Sequence, residues 1–215
     1  MAQNTSMAVM QQRIEPADSL DDFPTPPWAT RALCEWLLLM TSGAIKTPGL
    51  ASMSCREPSA NRGHMVMPLG EYFSTVEAAD VYDYGVGFMV QDYLFGPLPD
   101  PVDWTISNPP FRLAEEFILR ALATSKIGCA FLVRTSFLET VGRYSRLFSQ
   151  RPPSHVLQFS ERVVMHKGRL APKGSTATSY CWLVWINGAS GSSMGWIPPC
   201  RKKLERPSDY EGEEA

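Results

Sequence analysis

Between residues 51 and 186 the chain switches repeatedly between two hydrophobic periods, and no other feature restricts its possible folds as strongly. Short apolar runs occupy 51–55, 76–81, 89–95, 102–107, 129–133, 156–159 and 180–186. Each has the length of a β-strand. Between several of them, 63–73, 113–124 and 137–148 place apolar residues at helical spacing. Strand and helix in alternation predict an α/β fold with a mainly parallel sheet and helices on both faces. The runs 156–159 and 180–186 have no clear helix between them, which predicts an antiparallel hairpin at one edge.

Residues 1–22 are polar, lack a sustained period and end in an acidic cluster, so a flexible N-terminal arm is expected there. Phe23-Pro24-Thr25-Pro26-Pro27 then leads into 28–40, where Ala32, Leu33, Trp36, Leu37 and Met40 fall at helical spacing. Proline fits a helix at its first turn, so this order marks a helix start. The folded domain is expected over 23–187, followed by a tail, 188–215, whose last ten residues are expected to be disordered. A chain of 215 residues that is 44% hydrophobic can bury one sizeable core but not two full domains.

No run of 18 uncharged apolar residues occurs, and the opening lacks the basic-then-apolar order of a secretory leader. The expectation is a soluble protein of the cytoplasm, without membrane contact. Cys34, Cys55, Cys129, Cys181 and Cys200 are scattered and form no CxxC pair, so reduced and mostly buried thiols are expected rather than disulfides or a zinc site. The net charge of −2 is unevenly spread: residues 134–173 carry eight basic residues against Glu139 and Glu161. That segment, from Arg134 to Lys173, reads either as ordinary solvated faces or as a surface that tracks nucleic-acid phosphates.

In doubly wound sheets ligands bind where strands end, so four positions just past apolar runs hold the chemical interest. The first is the turn Glu57-Pro58-Ser59-Ala60-Asn61-Arg62-Gly63-His64, whose small residues let a ligand approach the backbone. Any strand-to-helix turn favours such residues, so the turn alone does not decide. The second is Asp80, which lies 23 residues after Glu57 at a strand end, where an acid can accept from ribose hydroxyls or simply face solvent. The third is Asp92-Tyr93-Leu94-Phe95, an acid followed by flat apolar walls that suit an adenine ring or a plain strand edge.

The fourth is the most specific. The run Asp103-Trp104-Thr105-Ile106-Ser107 stops at Asn108-Pro109-Pro110-Phe111. Two prolines remove two backbone donors and fix the chain, so the carbonyls of Asn108 and Pro109 can face something other than a sheet partner. An amide oxygen and a backbone carbonyl converging on one point form an acceptor pair for a single NH2 group, and Phe111 adds a face for a planar base.

With these residues in place, the chain resembles the amino-methylating class I DNA methyltransferases, particularly the small N6-adenine-specific enzymes of bacteriophage and prophage genomes. The resemblance covers roughly 23–186, with further similarity in Trp196-Ile197-Pro198-Pro199-Cys200-Arg201. It implies a Rossmann-like fold with a seven-stranded sheet, S-adenosylmethionine as cofactor, DNA as partner and no metal. It also implies that Thr25 and Pro26 lie beside the cofactor's methionine end, and that Glu57, Pro58, Ser59, Ala60, Asn61 and Gly63 cradle its methionine and sugar. Asp80 would hold the ribose, Asp92 and Tyr93 the adenine, and Asn108 would sit where cofactor and substrate meet. Catalysis would fall to Asn108, Pro109, Pro110 and Phe111. The family pattern has glycine where Asn61 stands, and no large region for reading sequence is present, so DNA contact is expected from residues 134–173.

The resemblance implies a flipped base stacked on Phe111, its amino group bonded to the Asn108 side chain and the Pro109 carbonyl. His64, His155 and His166 are not required by this chemistry. The same acceptor pair also suits a base in RNA or a glutamine amide in protein. A different class of reading keeps the fold without turnover, as an inert nucleic-acid-binding protein.

Overall fold

The computed structural model describes residues 21–42 and 49–211, so most of the expected N-terminal arm lies outside the described residues, as do 212–215. Its strands are β1 (Ser54–Glu57), β2 (Thr75–Asp80), β3 (Met89–Val90), β4 (Val102–Ser107), β5 (Ser125–Arg134), β6 (His155–Phe159), β7 (Tyr180–Ile186) and β8 (Ser193–Ile197). The helices are α1 (Pro27–Ser42), α2 (Val66–Gly70), α3 (Ala114–Thr124), α4 (Val141–Arg143) and α5 (Arg201–Leu204). All eight strands join one sheet in the order β3-β2-β1-β4-β5-β7-β6-β8. The pairs β1–β2, β2–β3, β1–β4, β4–β5 and β6–β8 are parallel, and only β7 runs against its neighbours β5 and β6.

The central strands are buried on both faces because each side chain alternates between two cores. On β5, Ala130 and Leu132 join the core under α1, while Cys129, Phe131 and Val133 join the core under α3. On β7, Tyr180, Trp182 and Val184 take the first side, and Cys181, Leu183 and Trp185 the second. Gly128 is required where β5 passes β7: a Cβ there would lie 2.3 Å from the Trp185 carbonyl and 2.9 Å from the Trp104 ring. Helix α1 begins at Pro27, as the proline order predicts, and buries Trp28, Ala29, Leu33 and Leu37. Of its expected stripe, Met40 is exposed instead.

The α/β expectation holds, with several differences that have local causes. The sheet has eight strands rather than seven, and the antiparallel strand β7 lies inside it; the edge beyond β6 is covered by β8, drawn from the expected tail. The run 51–55 begins as a 3-10 turn, Leu50–Ser52, and the strand starts only at Ser54. The run 89–95 supports two strand residues, because Asp92 Oδ1 accepts from the Leu94 amide and turns the chain. The expected helix over 63–73 shrinks to five residues, since Gly63 takes φ +93°. The stretch 137–148 divides into a 3-10 turn, α4 and a π-helical segment Tyr144–Phe148, with the break at Thr140, a β-branched residue at φ 97°.

Of the expected tail, 188–211 are described and 212–215 lie outside the described residues. Pro207–Tyr210 forms a 3-10 turn, and Asp209 is buried against Arg31 of α1, with Nη2 to Oδ1 at 2.7 Å. Arg31 also donates to Glu71 at 2.9 Å and to the Leu204 carbonyl at 2.8 Å, so its guanidinium ties α1 to the end of the chain. No helix among the described residues is long and apolar enough to cross a membrane. The five cysteines are free thiols, four of them buried.

Candidate active site

Parallel pairing brings the C-terminal ends of β1, β2 and β4 to one edge of the sheet: Glu57 lies beside Ala78, and Arg56 beside Thr105. The segments leaving these ends surround a partly open cleft of about 150 Å³. Of the residues expected to hold a cofactor, Thr25, Pro58, Ser59, Ala60, Asn61, Asp80, Asp92, Tyr93 and Asn108 line it. Pro26, Glu57 and Gly63 do not line it; Pro26 and Gly63 are buried, and Glu57 lies wholly beneath the loop. Within Asn108-Pro109-Pro110-Phe111, Asn108 and Pro110 reach the cleft.

The loop after β1 is shaped from below and from the side. Glu57 Oε1 accepts from the Ser59 amide at 2.9 Å and from Ser107 Oγ at 2.7 Å, and Oε2 has no hydrogen-bond partner among the described residues. Burial pushes this carboxyl up to about 8, against the two hydrogen bonds, which hold it back. Asp80 Oδ2 accepts from the Asn61 amide at 2.9 Å, and its Oδ1 accepts from the Tyr82 amide at 3.1 Å. Burial raises the Asp80 carboxyl as well, opposed by these backbone bonds. Asn61 stands at φ 49°, the left-handed region that asparagine tolerates better than other side-chain-bearing residues. Gly63 admits no side chain, since a Cβ would meet the Phe88 ring at 3.0 Å on a positive-φ backbone.

The Asn108 amide is fixed in orientation. Its Nδ2 donates to the Phe23 carbonyl at 3.0 Å and to Thr25 Oγ1 at 2.9 Å. A carbonyl can only accept, so the NH2 must face Phe23 and the oxygen must face away. Oδ1 is buried and has no hydrogen-bond partner among the described residues. Native structures seldom leave such an acceptor unmatched. Phe111 differs from the sequence expectation of an open stacking face. The Arg134 guanidinium lies over its ring at 4.0 Å, and Phe23 and Tyr180 pack at 5.5 and 6.4 Å between centroids.

Several lining residues were not among those expected to bind the cofactor or carry catalysis. Asp21, Phe23 and Pro24 line the cleft, as do His64, Met65 and Tyr84. Phe117, from the cleft-facing side of α3, stacks on Tyr93 at 5.0 Å. Met165, in the β6–β7 connection, places its Sδ 3.7 Å from Asn108 Nδ2 and 3.9 Å from Thr25 Oγ1. The same connection carries Arg162, Lys167, Arg169 and Lys173, all exposed, so part of the basic segment adjoins the acceptor motif. The proline-rich entrance Thr25-Pro26-Pro27 was the sequence signal for the N-terminal contribution; Asp21 and Met165 gave none.

No family model matches the sequence, and no curated protein matches it. Solved structures do match in fold. One is a protein described as a class I S-adenosylmethionine-dependent methyltransferase from Listeria monocytogenes, at 15% identity and TM-score 0.60, covering 94% of this chain and 72% of that one. Another is described as a modification subunit of a type I restriction enzyme from Vibrio vulnificus, at 15% identity and TM-score 0.58. The match covers 91% of this chain but only 52% of that subunit, so the chain spans about half its length. A third is described as an RNA methyltransferase from Pyrococcus horikoshii, at 16% identity and TM-score 0.54, covering 83% of this chain and 94% of that one. The fold of this chain is that of the class I S-adenosylmethionine-dependent methyltransferases.

Proposed function

We propose that the chain transfers a methyl group from S-adenosylmethionine to the exocyclic amino group of adenine in DNA. The observation that carries this reading is the Asn108 side chain: an amide held by its nitrogen, with its buried oxygen unpartnered, at the mouth of a strand-end cleft.

The residues present fit the cofactor. The small side chains of Ser59 and Ala60 leave the loop backbone approachable, Asp80 and Asp92 supply carboxylates at the cleft wall, and Tyr93 supplies a flat ring. Asp80 suits ribose hydroxyls, and Asp92 with Tyr93 suits the adenine. Bound there, S-adenosylmethionine supplies a methyl group on a positively charged sulfonium, open to attack by a nitrogen lone pair.

The protein's own residues make that lone pair available. Asn108 Oδ1 accepts one N–H of the amino group and the Pro109 carbonyl accepts the other, drawing nitrogen electrons out of conjugation with the ring. Phe23 and Thr25 keep Asn108 from rotating, so the acceptor is oriented before the substrate arrives. Positioning and fixed dipoles then provide the rate enhancement. Phe111 offers a stacking face once Arg134 or Phe23 withdraws from its ring. DNA as the partner is supported by the exposed cations of the β6–β7 connection beside the site, which suit a phosphate backbone. Likeness in fold to a restriction-modification subunit is in keeping with that substrate.

Transfer of labelled methyl from S-adenosylmethionine to unmethylated duplex DNA, read by nucleoside digestion and mass spectrometry, tests the proposal. N6-methyladenine in the DNA is expected. Label found only in RNA or protein run in parallel would replace the substrate, and no label together with no cofactor binding would leave an inert fold.

A further inference from the structure

Residues 21–25 cross from one half of the candidate site to the other, and both ends of the crossing are fastened by side chains. On the cofactor side, Asp22 Oδ1 accepts from Asn61 Nδ2 at 2.7 Å, and the Asp22 carboxylate pairs with Arg62 at 3.1 Å. On the acceptor side, Asp21 Oδ2 accepts from the Phe111 amide at 2.8 Å, the Phe23 carbonyl accepts from Asn108, and the Phe23 ring packs on Phe111. The backbone is held too, with the Gly168 amide donating to the Asp22 carbonyl at 2.8 Å. Asp21, Phe23, Pro24 and Thr25 all line the cleft, so this strap forms part of its wall.

We propose that Asp22 and Asn61 are positioning residues that latch the strap across both halves of the site. This rests on the methyltransferase reading for its purpose, but not for its geometry. The latch gives Asn61 a reason to stand where glycine is expected. Glycine would take φ 49° without strain, yet it would offer no amide to Asp22. Asn61 also fixes its own turn, since its Oδ1 accepts from the Arg62 amide at 2.7 Å. While the latch is closed, the strap holds the Asn108 nitrogen and packs Phe23 on the Phe111 ring. Opening it frees the Phe23 side of the Phe111 ring and loosens one wall of the cleft, so one small movement acts on both halves of the site.

Amide hydrogen exchange on the ligand-free full chain tests the latch directly. Pro109 and Pro110 carry no amide, so a peptide over 109–112 reports only Phe111 and Arg112. Asp22→Ala and Asn61→Gly should each speed exchange of the Phe111 amide about tenfold, while β5 amides stay protected. The double variant should exchange no faster than the faster single, because both substitutions open the same latch. Asp22→Asn keeps an acceptor for Asn61 and should lie nearer to the parent protein. Unchanged Phe111 exchange in both single variants, additive effects in the double, or equal acceleration throughout β5 would each overturn the proposal. In a second arm, the variants should also speed both association and dissociation of S-adenosylmethionine, followed by tryptophan fluorescence. If the parent chain binds no S-adenosylmethionine, the cofactor reading falls, and the latch is still decided by exchange.

Discussion

Ser107 Oγ donates to Glu57 Oε1 at 2.7 Å, joining the last residue of β4 to the last residue of β1. The parallel register makes this meeting possible, since it places Arg56 beside Thr105 two residues earlier on β4. Because the Ser59 amide donates to the same oxygen, the loop after β1 and the end of β4 before Asn108 hang from one buried carboxyl. Two segments that look separate in the sequence are therefore tied to one side chain.

That carboxyl should make stability depend on pH. Burial raises Glu57 from 4.5 to about 8, so the folded chain holds its proton more tightly than the unfolded chain. Folding stability then falls as pH rises through the interval between those two values, and the loss is complete above the folded one. The loss should be on the order of a few kcal/mol. Glu57→Gln is neutral throughout and should flatten this dependence. Urea midpoints compared at about pH 5 and about pH 9 measure it, and an unchanged slope in the variant would assign the effect to other groups.

Asn108 needs both ends of its amide. Asn108→Ala removes the acceptor and should lower the methyl-transfer rate constant by about a hundredfold to a thousandfold, the usual cost of one preorganised donor or acceptor. Asn108→Asp keeps an oxygen at the acceptor position but sets another against the Phe23 carbonyl, where Nδ2 now donates. It should therefore fail to restore activity and should weaken protection of the strap. Single-turnover transfer rates and hydrogen exchange over residues 21–25 distinguish the two variants; full recovery in Asn108→Asp would contradict the orientation described here.

The strands were legible where an apolar run ends at a residue that cannot extend it. Residues 102–107 and 180–186 match β4 and β7 because Asn108-Pro109 and Asn187-Gly188 stop both. Strand β8 was not legible as part of the sheet: Met194 and Trp196 alternate with Ser193 and Gly195 yet face solvent, and only Ile197 is buried. It is held by pairing with β6, which is a tertiary effect. The same division runs through the site. Asp80, Asn108 and Asp92 follow strands and could be found by position. Asp21 meets Phe111 across 90 residues of sequence, and Met165 meets Asn108 across 57, so no local pattern announces either. The covered face of Phe111 was likewise invisible, since Arg134 reaches it from the end of a different strand.

The turn Pro207–Tyr210, the last among the described residues, should matter to stability although none of its residues lines the cleft. Arg31 and Asp209 are each 4% exposed at the side chain, and Asp209 accepts from both terminal nitrogens of the guanidinium. Removing one member strands the other charge in the interior, which typically costs about 3–5 kcal/mol. Glu71 remains as a second partner of Arg31, so Asp209→Ala should fall at the lower end of that range. Replacing both, as Arg31→Met with Asp209→Leu, removes the stranded charge and should be less damaging than either single change. Thermal unfolding of the three variants tests this, and a double variant worse than both singles would show that the pair contributes more than charge balance.

The basic β6–β7 connection makes the DNA reading quantitative. Lys167, Arg169 and Lys173 are exposed, and Met165 on the same connection touches Asn108. Contacts to phosphates release counterions, and each lost contact reduces the salt dependence of binding by about one in the logarithmic slope. Replacing all three cations with alanine should weaken duplex binding and lower that slope by two to three, roughly equally for all sequences. Binding of S-adenosylmethionine should be unaffected, because none of the three lines the cleft. Fluorescence anisotropy of labelled duplex across a salt series measures both quantities. A slope that does not change would move the DNA-facing surface away from this connection, toward Arg134, Arg143, Arg146 and Arg151. Of those, Arg146 is already paired with Glu115 at 2.7 Å and would have to exchange that partner for a phosphate.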